Sequence, residues 1–404
     1  MKTLIKNAQI VSGKETKKQD LLIEEGIIKK IGEVSEAADI TIDAKNKHLL
    51  PGVIDPHVHF RDPGFPDKED FHTGSRAAVA GGVTTVFDMP NTNPPTFTLD
   101  ELEKKRRLAR EKSLCNFAFF FGAGSENLED IKKCEKVAGI KIYMNVTTGN
   151  LLIRDDETLK NIAKVKNKIF ALHAEGDTFQ KAVDIFTPFG APIYLCHISL
   201  KSEVEIIRHL KKENYPVFAE AAPHHLFMTG KDRETKKGFA MMKPDLATPE
   251  DQDAVWEAVQ EGIIDTIGSD HAPHTIAEKT GENLAFGVPG VETSLPLMLN
   301  EINKGRISLE RVVQMMSRNP ARIFNVQNKG EIKEGFDADL VLVDLNKSKK
   351  IENRNIVSKC KWSPYDTWEV QGAVEKTWVS GELVFSEGKV LESRFRGREI
   401  SFHA

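Results

Sequence analysis

Cysteine is scarce. The four cysteines stand alone at positions 115, 134, 196 and 360, and none forms a CxxC pair. A disulfide scaffold is therefore excluded, the thiols read as packing residues, and a reducing, cytoplasmic setting is expected. No apolar run approaches the roughly 18 residues of a membrane-spanning helix. The N-terminus, MKTLIKNAQIVSGKE, breaks its short apolar patch at Lys6 and Asn7, so it lacks the apolar centre of a signal peptide. Neither sign of charge is in excess: 60 acidic against 56 basic side chains leave a formal net charge of −4. A generic nucleic-acid or membrane-surface binder is thereby disfavoured. Internal repeats and low-complexity tracts are also missing. With 40% hydrophobic residues the chain can bury a sizeable core and is not disordered.

The first 50 residues read as short strands. "TLIKNAQIV" is β-rich, "DLLIEEGIIKKIG" reads as a hairpin turning at Glu25-Gly26, and "ITIDAKNKHLL" as one further strand. From Pro51 to about Phe324, short apolar bursts alternate with helical stretches. The bursts are "GVIDPHVHF", "VTTVFDM", "CNFAFFFG", "GIKIYMN", "IFALHAE", "PIYLCHIS", "PVFAEAA" and "IDTIGSDH". Continuous apolar runs suit parallel strands buried on both faces. Helix punctuation lies between them. Ser202 and Glu205 form a candidate capping box, and Thr248-Pro249 with its following acids and Gly262 marks a complete helix. Eight strand–helix alternations predict an α/β fold, a (β/α)8 TIM barrel over 51–329. Residues 1–50 and 330–404 together predict a small β-rich domain, since neither part has enough strands alone.

The strongest local signal is "DPHVHFRDPG" at 55–64. In a strand, His57 and His59 point to the same face and present two imidazoles to one metal. They fall at the C-terminal end of the first barrel strand, where barrel active sites form. Other candidate ligands recur at strand ends: His173 closes "IFALH", His197 closes "IYLCH", Asp270 closes "IDTIGSD", and Lys141 lies inside "GIKIYMN". These residues are far apart in sequence yet would converge on one rim. Arg61, two after His59, projects to the same side; its fork suits a carboxylate through two parallel hydrogen bonds.

With "GSDHAPHTIAEK" at 268–279 added to "DPHVHFRDPG", the chain resembles the amidohydrolase superfamily and, within it, the dihydroorotase family; "MPNTNPP" at 89–95 and "APHHL" at 222–226 look like further family blocks. The resemblance covers essentially the whole chain. It implies two Zn²⁺ ions: His57, His59 and Asp270 on the more buried one, His173 and His197 on the other, and Lys141 bridging them as a carboxylated lysine. It implies reversible cyclisation of N-carbamoyl-L-aspartate to L-dihydroorotate in pyrimidine synthesis, with Asp270 as general acid and base. It also implies Asn91 and His274 as partners of Arg61 on the substrate carboxylate, Thr147 on a lid over 145–154, backbone groups of "AFGVPG" (285–290) against the ring, a homodimer, and association with aspartate transcarbamoylase.

At Lys243 several relatives carry arginine or asparagine, which leaves open whether this lysine touches substrate or only the rim. His224 and His225 read as structural, and Glu220 as a support behind the ligands. Two alternatives stay open. One is a related hydrolase of hydantoin, dihydropyrimidine or allantoin, which needs no carboxylate-binding arginine. The other is an inactive scaffold for a partner enzyme, a reading that the complete ligand set disfavours.

Overall fold

The computed structural model describes residues 1–12, 15–146 and 151–403. Five strands come first: β1 (Lys2–Val11), β2 (Thr16–Glu24), β3 (Ile27–Gly32), β4 (Ile40–Asp43) and β5 (His48–Pro51). Glu25 and Gly26 both take positive φ, 52° and 83°, the signature of a tight two-residue hairpin turn. The segment expected as one strand, "ITIDAKNKHLL", is two. Lys45 and Asn46, at φ 52° and 61°, bend the chain between β4 and β5.

Eight parallel strands follow: β6 (Val53–Val58), β7 (Val83–Asp88), β8 (Asn116–Gly122), β9 (Gly139–Tyr143), β10 (Phe170–His173), β11 (Ile193–Leu195), β12 (Val217–Ala221) and β13 (Thr266–Ile267). They pair in chain order, each expected apolar burst supplying one strand. The last is only two residues long, so ordinary ladder bonds do not close the barrel. Closure passes through Asp55, whose Oδ1 accepts from Ser269 N at 3.0 Å and His57 N at 3.1 Å, and through His59 N, which donates to His271 O at 2.8 Å. Burial pushes the Asp55 carboxyl up to about 7.

Below the rim the interior is filled. Ile54, Phe87, Phe120, Ala171 and Tyr194 pack against Phe324, whose ring meets Phe87 and Phe120 edge-on. Ala171 and His173, two apart on β10, share the inward face, so the same alternation that plugs the base brings the histidine to the mouth.

The chain ends in β14 (Leu340–Lys350), β15 (Glu369–Val379), β16 (Glu382–Ser386) and β17 (Lys389–Val390). They join the first five strands in one sheet, β17-β16-β15-β14-β5-β1-β2-β3 with β4 on β1, the two ends of the chain meeting where β14 runs antiparallel to β5. Two stretches of this half reach back to the barrel. Residues 397–400 run beside the start of β8, where Phe117 N donates to Arg398 O and Ile400 N to Phe117 O, each at 3.0 Å. Residues 351–368 pass over the mouth, where Trp362 Nε1 donates to His274 O at 2.7 Å.

The helix at Pro249–Glu261 is capped as its sequence predicts: Thr248 Oγ1 accepts from Asp251 N, and Gly262 ends it at φ 84°. The Ser202–Glu205 box does not form. That helix, Lys201–Lys212, starts two residues earlier, and Glu203 accepts from Ser199 N at 2.9 Å and Leu200 N at 3.0 Å.

Candidate active site

The mouth of the barrel holds a cavity of about 370 Å³ whose wall includes His57, His59, Lys141, His173, His197 and Asp270. All six are nearly inaccessible to solvent. His57 Nε2 and His59 Nε2 lie 3.3 and 3.0 Å from Asp270 Oδ1. His173 Nδ1 lies 2.9 Å from His197 Nε2, and the His57 and His197 rings are 5.4 Å apart. The strand-end residues picked out by spacing are therefore brought together. Lys141 joins them on the floor, where its Nζ donates to Cys196 Sγ at 3.0 Å.

Three of the four histidines are held from behind by an acceptor, which fixes ring and tautomer. His57 Nδ1 is 2.7 Å from Glu220 Oε1, His59 Nδ1 is 2.6 Å from Asn91 Oδ1, and His173 Nε2 is 2.9 Å from Glu175 Oε1. Glu220 also accepts from His197 N at 3.1 Å and from Tyr194 Oη at 2.8 Å, so one carboxylate from β12 sets two ligands. Gly268 makes room for it: a Cβ there would stand 2.2 Å from Glu220 Oε2 and 3.0 Å from His57 Cβ. The leading glycine of "GSDH" is thus a packing requirement of the site. Asn91, expected on the substrate, is also a support of His59. Cys196, read from the sequence as packing, stands with His57 and Glu220 in a second convergent group of donors.

The electrostatics favour positive charge beside Asp270. Burial alone would raise its carboxyl, but the imidazoles of His57 and His59 hold it well below the usual carboxylate range. Burial depresses His59 to about 3 and His197 well below the ordinary imidazole range. For His57, burial is outweighed by the Glu220 and Asp270 carboxylates, which raise it to about 10.

The site is also strained. Arg61, His197 and Asp270 sit at φ 64°, 39° and 46°, a region that side chains other than glycine seldom occupy. These three conformations turn functional groups into the cavity just beyond the ends of their strands.

The donor set tests well for a metal. His57, His59 and Asp270 offer nitrogen and carboxylate atoms within 4.8 Å of one another. His197 Nδ1 is a buried polar atom with no hydrogen-bond partner. Histidine with carboxylate is the ligand chemistry of zinc and its neighbours.

Arg61 also reaches this cavity. Its Nε donates to Pro273 O at 3.2 Å, its Nη2 is 3.1 Å from His274 Nε2, and its buried Nη1 has no partner. His274 stands behind Arg61 and Phe286 rather than on the wall. Lys243 does line the cavity, with its ammonium 3.2 Å from Asp245 Oδ2 and 5.3 Å above the Phe286 ring. Phe286 and Gly287, from the expected ring-contacting loop, line it too. His224 and His225 pack edge to face away from this wall, and His225 Nε2 meets Pro244 O at 3.1 Å. Thr147 lies outside the described residues.

A barrel whose rim gathers histidines, a lysine and an aspartate around one cavity defines a class, and the comparisons agree with it. The amidohydrolase family matches residues 48–384, and the chain belongs to that family. It is 33% identical to the dihydroorotase of Methanosphaera stadtmanae, with 96% of this chain and 97% of the relative covered. It is 35% identical to the multifunctional protein CAD of Squalus acanthias over 89% of this chain but only 16% of that much longer protein. Among solved structures it is similar to the L-hydantoinase (dihydropyrimidinase) of Arthrobacter aurescens, with a TM-score of 0.95 and 30% identity over 99% of both chains.

Glu220→Gln should lower metal affinity about 10- to 100-fold, the usual effect of losing a carboxylate behind a ligating histidine. Gly268→Ala should do the same by displacing that carboxylate. Titration of the metal-free protein against a zinc chelator buffer reads both, and unchanged affinity in both variants refutes the supporting role.

Proposed function

We propose that this chain catalyses the reversible cyclisation of N-carbamoyl-L-aspartate to L-dihydroorotate. The observation that carries the reading is a single cavity lined by the six ligand-type side chains and by an arginine whose Nη1 is buried without a partner. Two zinc ions, one held by His57, His59 and Asp270, the other by His173 and His197, and both by carboxylated Lys141, would supply an acidified water and a polarised carbonyl.

Asp270 carries the proton. In ring opening it takes one from the attacking water and passes it to the departing ring nitrogen as the C–N bond breaks. In ring closure the same transfers run backwards and water leaves. Arg61 receives the substrate carboxylate through its fork, with Asn91 beside it and His274 setting the fork from behind; a substrate contact of Thr147 belongs to the same reading and lies outside the described residues. The neighbour of Lys141 Nζ is the Cys196 thiol. The neutral amine is the form that takes up CO₂. Phe286 and Gly287 supply the wall against the ring.

The same reading divides the chain into a catalytic barrel over 51–329 and a β-rich domain from 1–50 and 330–404. It assigns a homodimer working in the cytoplasm, in keeping with four buried free cysteines. The match to part of a multifunctional protein supports a link to other enzymes, and the reading names aspartate transcarbamoylase as the partner. No helix of the described residues is long and apolar enough to cross a membrane.

The likeness to a hydantoinase makes the choice of substrate the point to test. Dihydroorotate carries a carboxylate, whereas hydantoin and dihydrouracil do not. A panel of the three should show turnover of dihydroorotate alone; turnover of hydantoin or dihydrouracil without dihydroorotate reverses the reading. Removal of metal should abolish activity and zinc should restore it, with about two zinc ions bound per chain. Full activity in metal-free protein removes the hydrolytic scheme.

A further inference from the structure

His274 sits 1% exposed among groups that cannot all bond to it at once. Its Nε2 is 2.9 Å from Phe286 O and 3.1 Å from Arg61 Nη2. Its Nδ1 is 3.3 Å from Lys68 Nζ and 3.5 Å from Glu278 Oε2. A carbonyl only accepts and an ammonium or guanidinium only donates. A neutral imidazole, with one proton, therefore has two arrangements open to it. In the first, Nε2–H donates to Phe286 O and Nδ1 accepts from Lys68. In the second, Nδ1–H donates to Glu278 and Nε2 accepts from Arg61. The second leaves the Phe286 carbonyl facing a lone pair at 2.9 Å and relies on a contact at the outer limit of a hydrogen bond.

Lys68 is built into its place. Glu278 Oε1 holds its ammonium at 2.6 Å, and the Phe65 ring lies 5.0 Å beneath it. Glu278 is itself anchored as the third residue of the helix Ile276–Thr280, where its Oε2 accepts from Thr275 N at 3.0 Å and Thr275 Oγ1 at 3.1 Å. Trp362 Nε1 fixes the backbone of His274 from the other side. Lys68 is 15% exposed at its side chain, so the contact is sheltered.

We propose that Lys68, braced by Glu278, is a positioning residue that locks His274 as the Nε2–H tautomer and so keeps the Arg61 fork for the substrate carboxylate. With Nδ1 engaged by the ammonium, His274 commits its proton to the Phe286 side and offers Arg61 no lone pair. Every group that then faces the carboxylate cradle is a donor. Lys68 never touches the substrate; it acts through His274. The inference rests on the carboxylate-binding role proposed above for Arg61.

The test uses the zinc-loaded full chain. Nitrogen-15 spectra of histidine-labelled protein, assigned by comparison with His274→Gln, should give His274 a protonated Nε2 and a bare Nδ1. In Lys68→Met the ring should shift toward the Nδ1–H form. The KM for dihydroorotate should rise about tenfold while kcat stays within about twofold, the mark of lost ground-state binding rather than lost chemistry. Lys68→Arg, which restores a donor, should recover most of the loss, and zinc content should be the same in all three. A wild-type spectrum with protonated Nδ1 overturns the proposal, and so does an unchanged tautomer in Lys68→Met. An unchanged KM removes the claim that Arg61 is served. The spectra are read without substrate, so failure of the wild-type protein to turn over dihydroorotate would defeat the functional reading and leave the tautomer assignment to stand or fall alone.

Discussion

Asp270→Ala should lower kcat by about 10³- to 10⁴-fold while the protein stays folded, because general acid–base catalysis commonly supplies a factor of this size. The side chain lines a cavity instead of filling the core, so little packing is lost. The backbone there is another matter. Asp270 sits at φ 46°, where aspartate and asparagine are tolerated better than alanine. Asp270→Asn is therefore the sharper variant: it keeps the shape and the backbone preference and removes the proton carrier. Both should lose the rate. Steady-state kinetics beside circular dichroism and thermal melting separate chemistry from folding. A wild-type rate in Asp270→Asn would refute the assignment of Asp270 as the proton carrier.

Arg61→Met should lower kcat/KM for dihydroorotate by about 10²- to 10³-fold and leave zinc content unchanged, since hydrogen bonds to a charged group are each worth about 1.5–3 kcal/mol. Arg61 lies two residues after His59, but points its guanidinium at Pro273 O and His274 instead of at a candidate ligand. Methionine keeps much of the length and does not ease the φ of 64°. Equal loss of zinc and of dihydroorotate turnover would mean that Arg61 is a structural member of the loop.

The barrel and the ligand-type side chains gathered on its rim were legible because both follow from short-range periodicity. A fully buried parallel strand is an uninterrupted apolar run, and a rim ligand is the polar residue that ends it. His173 and His197 stand out on that ground alone. What was not legible depends on distant partners. Glu220 reads from the sequence as a support, but nothing local in "PVFAEAA" says which two histidines from other strands lean on it. Gly268 carries no local sign of the distant carboxylate that it must make room for. The last strand shrank to Thr266–Ile267 because side-chain and loop bonds close the barrel there. Lys68 and Glu278 sit in loop and helix-cap positions, yet "TIAE" at 275–278 does carry a readable capping box that fixes where Glu278 points.

The stretch 351–368, which leaves the antiparallel sheet to cross the barrel mouth, bonds to Glu69 through Ser358 Oγ and Lys359 N, to Glu292 through Val357 N, and to the carbonyl of His274 through Trp362. During synthesis all six ligands emerge before this strap does. A nascent chain cut short near residue 340 would own all six candidate metal ligands and still lack the brace on the rim around Arg61 and His274. Competence for metal and competence for substrate should thus be acquired at separate moments of the protein's birth, the second waiting on residues that never meet either one.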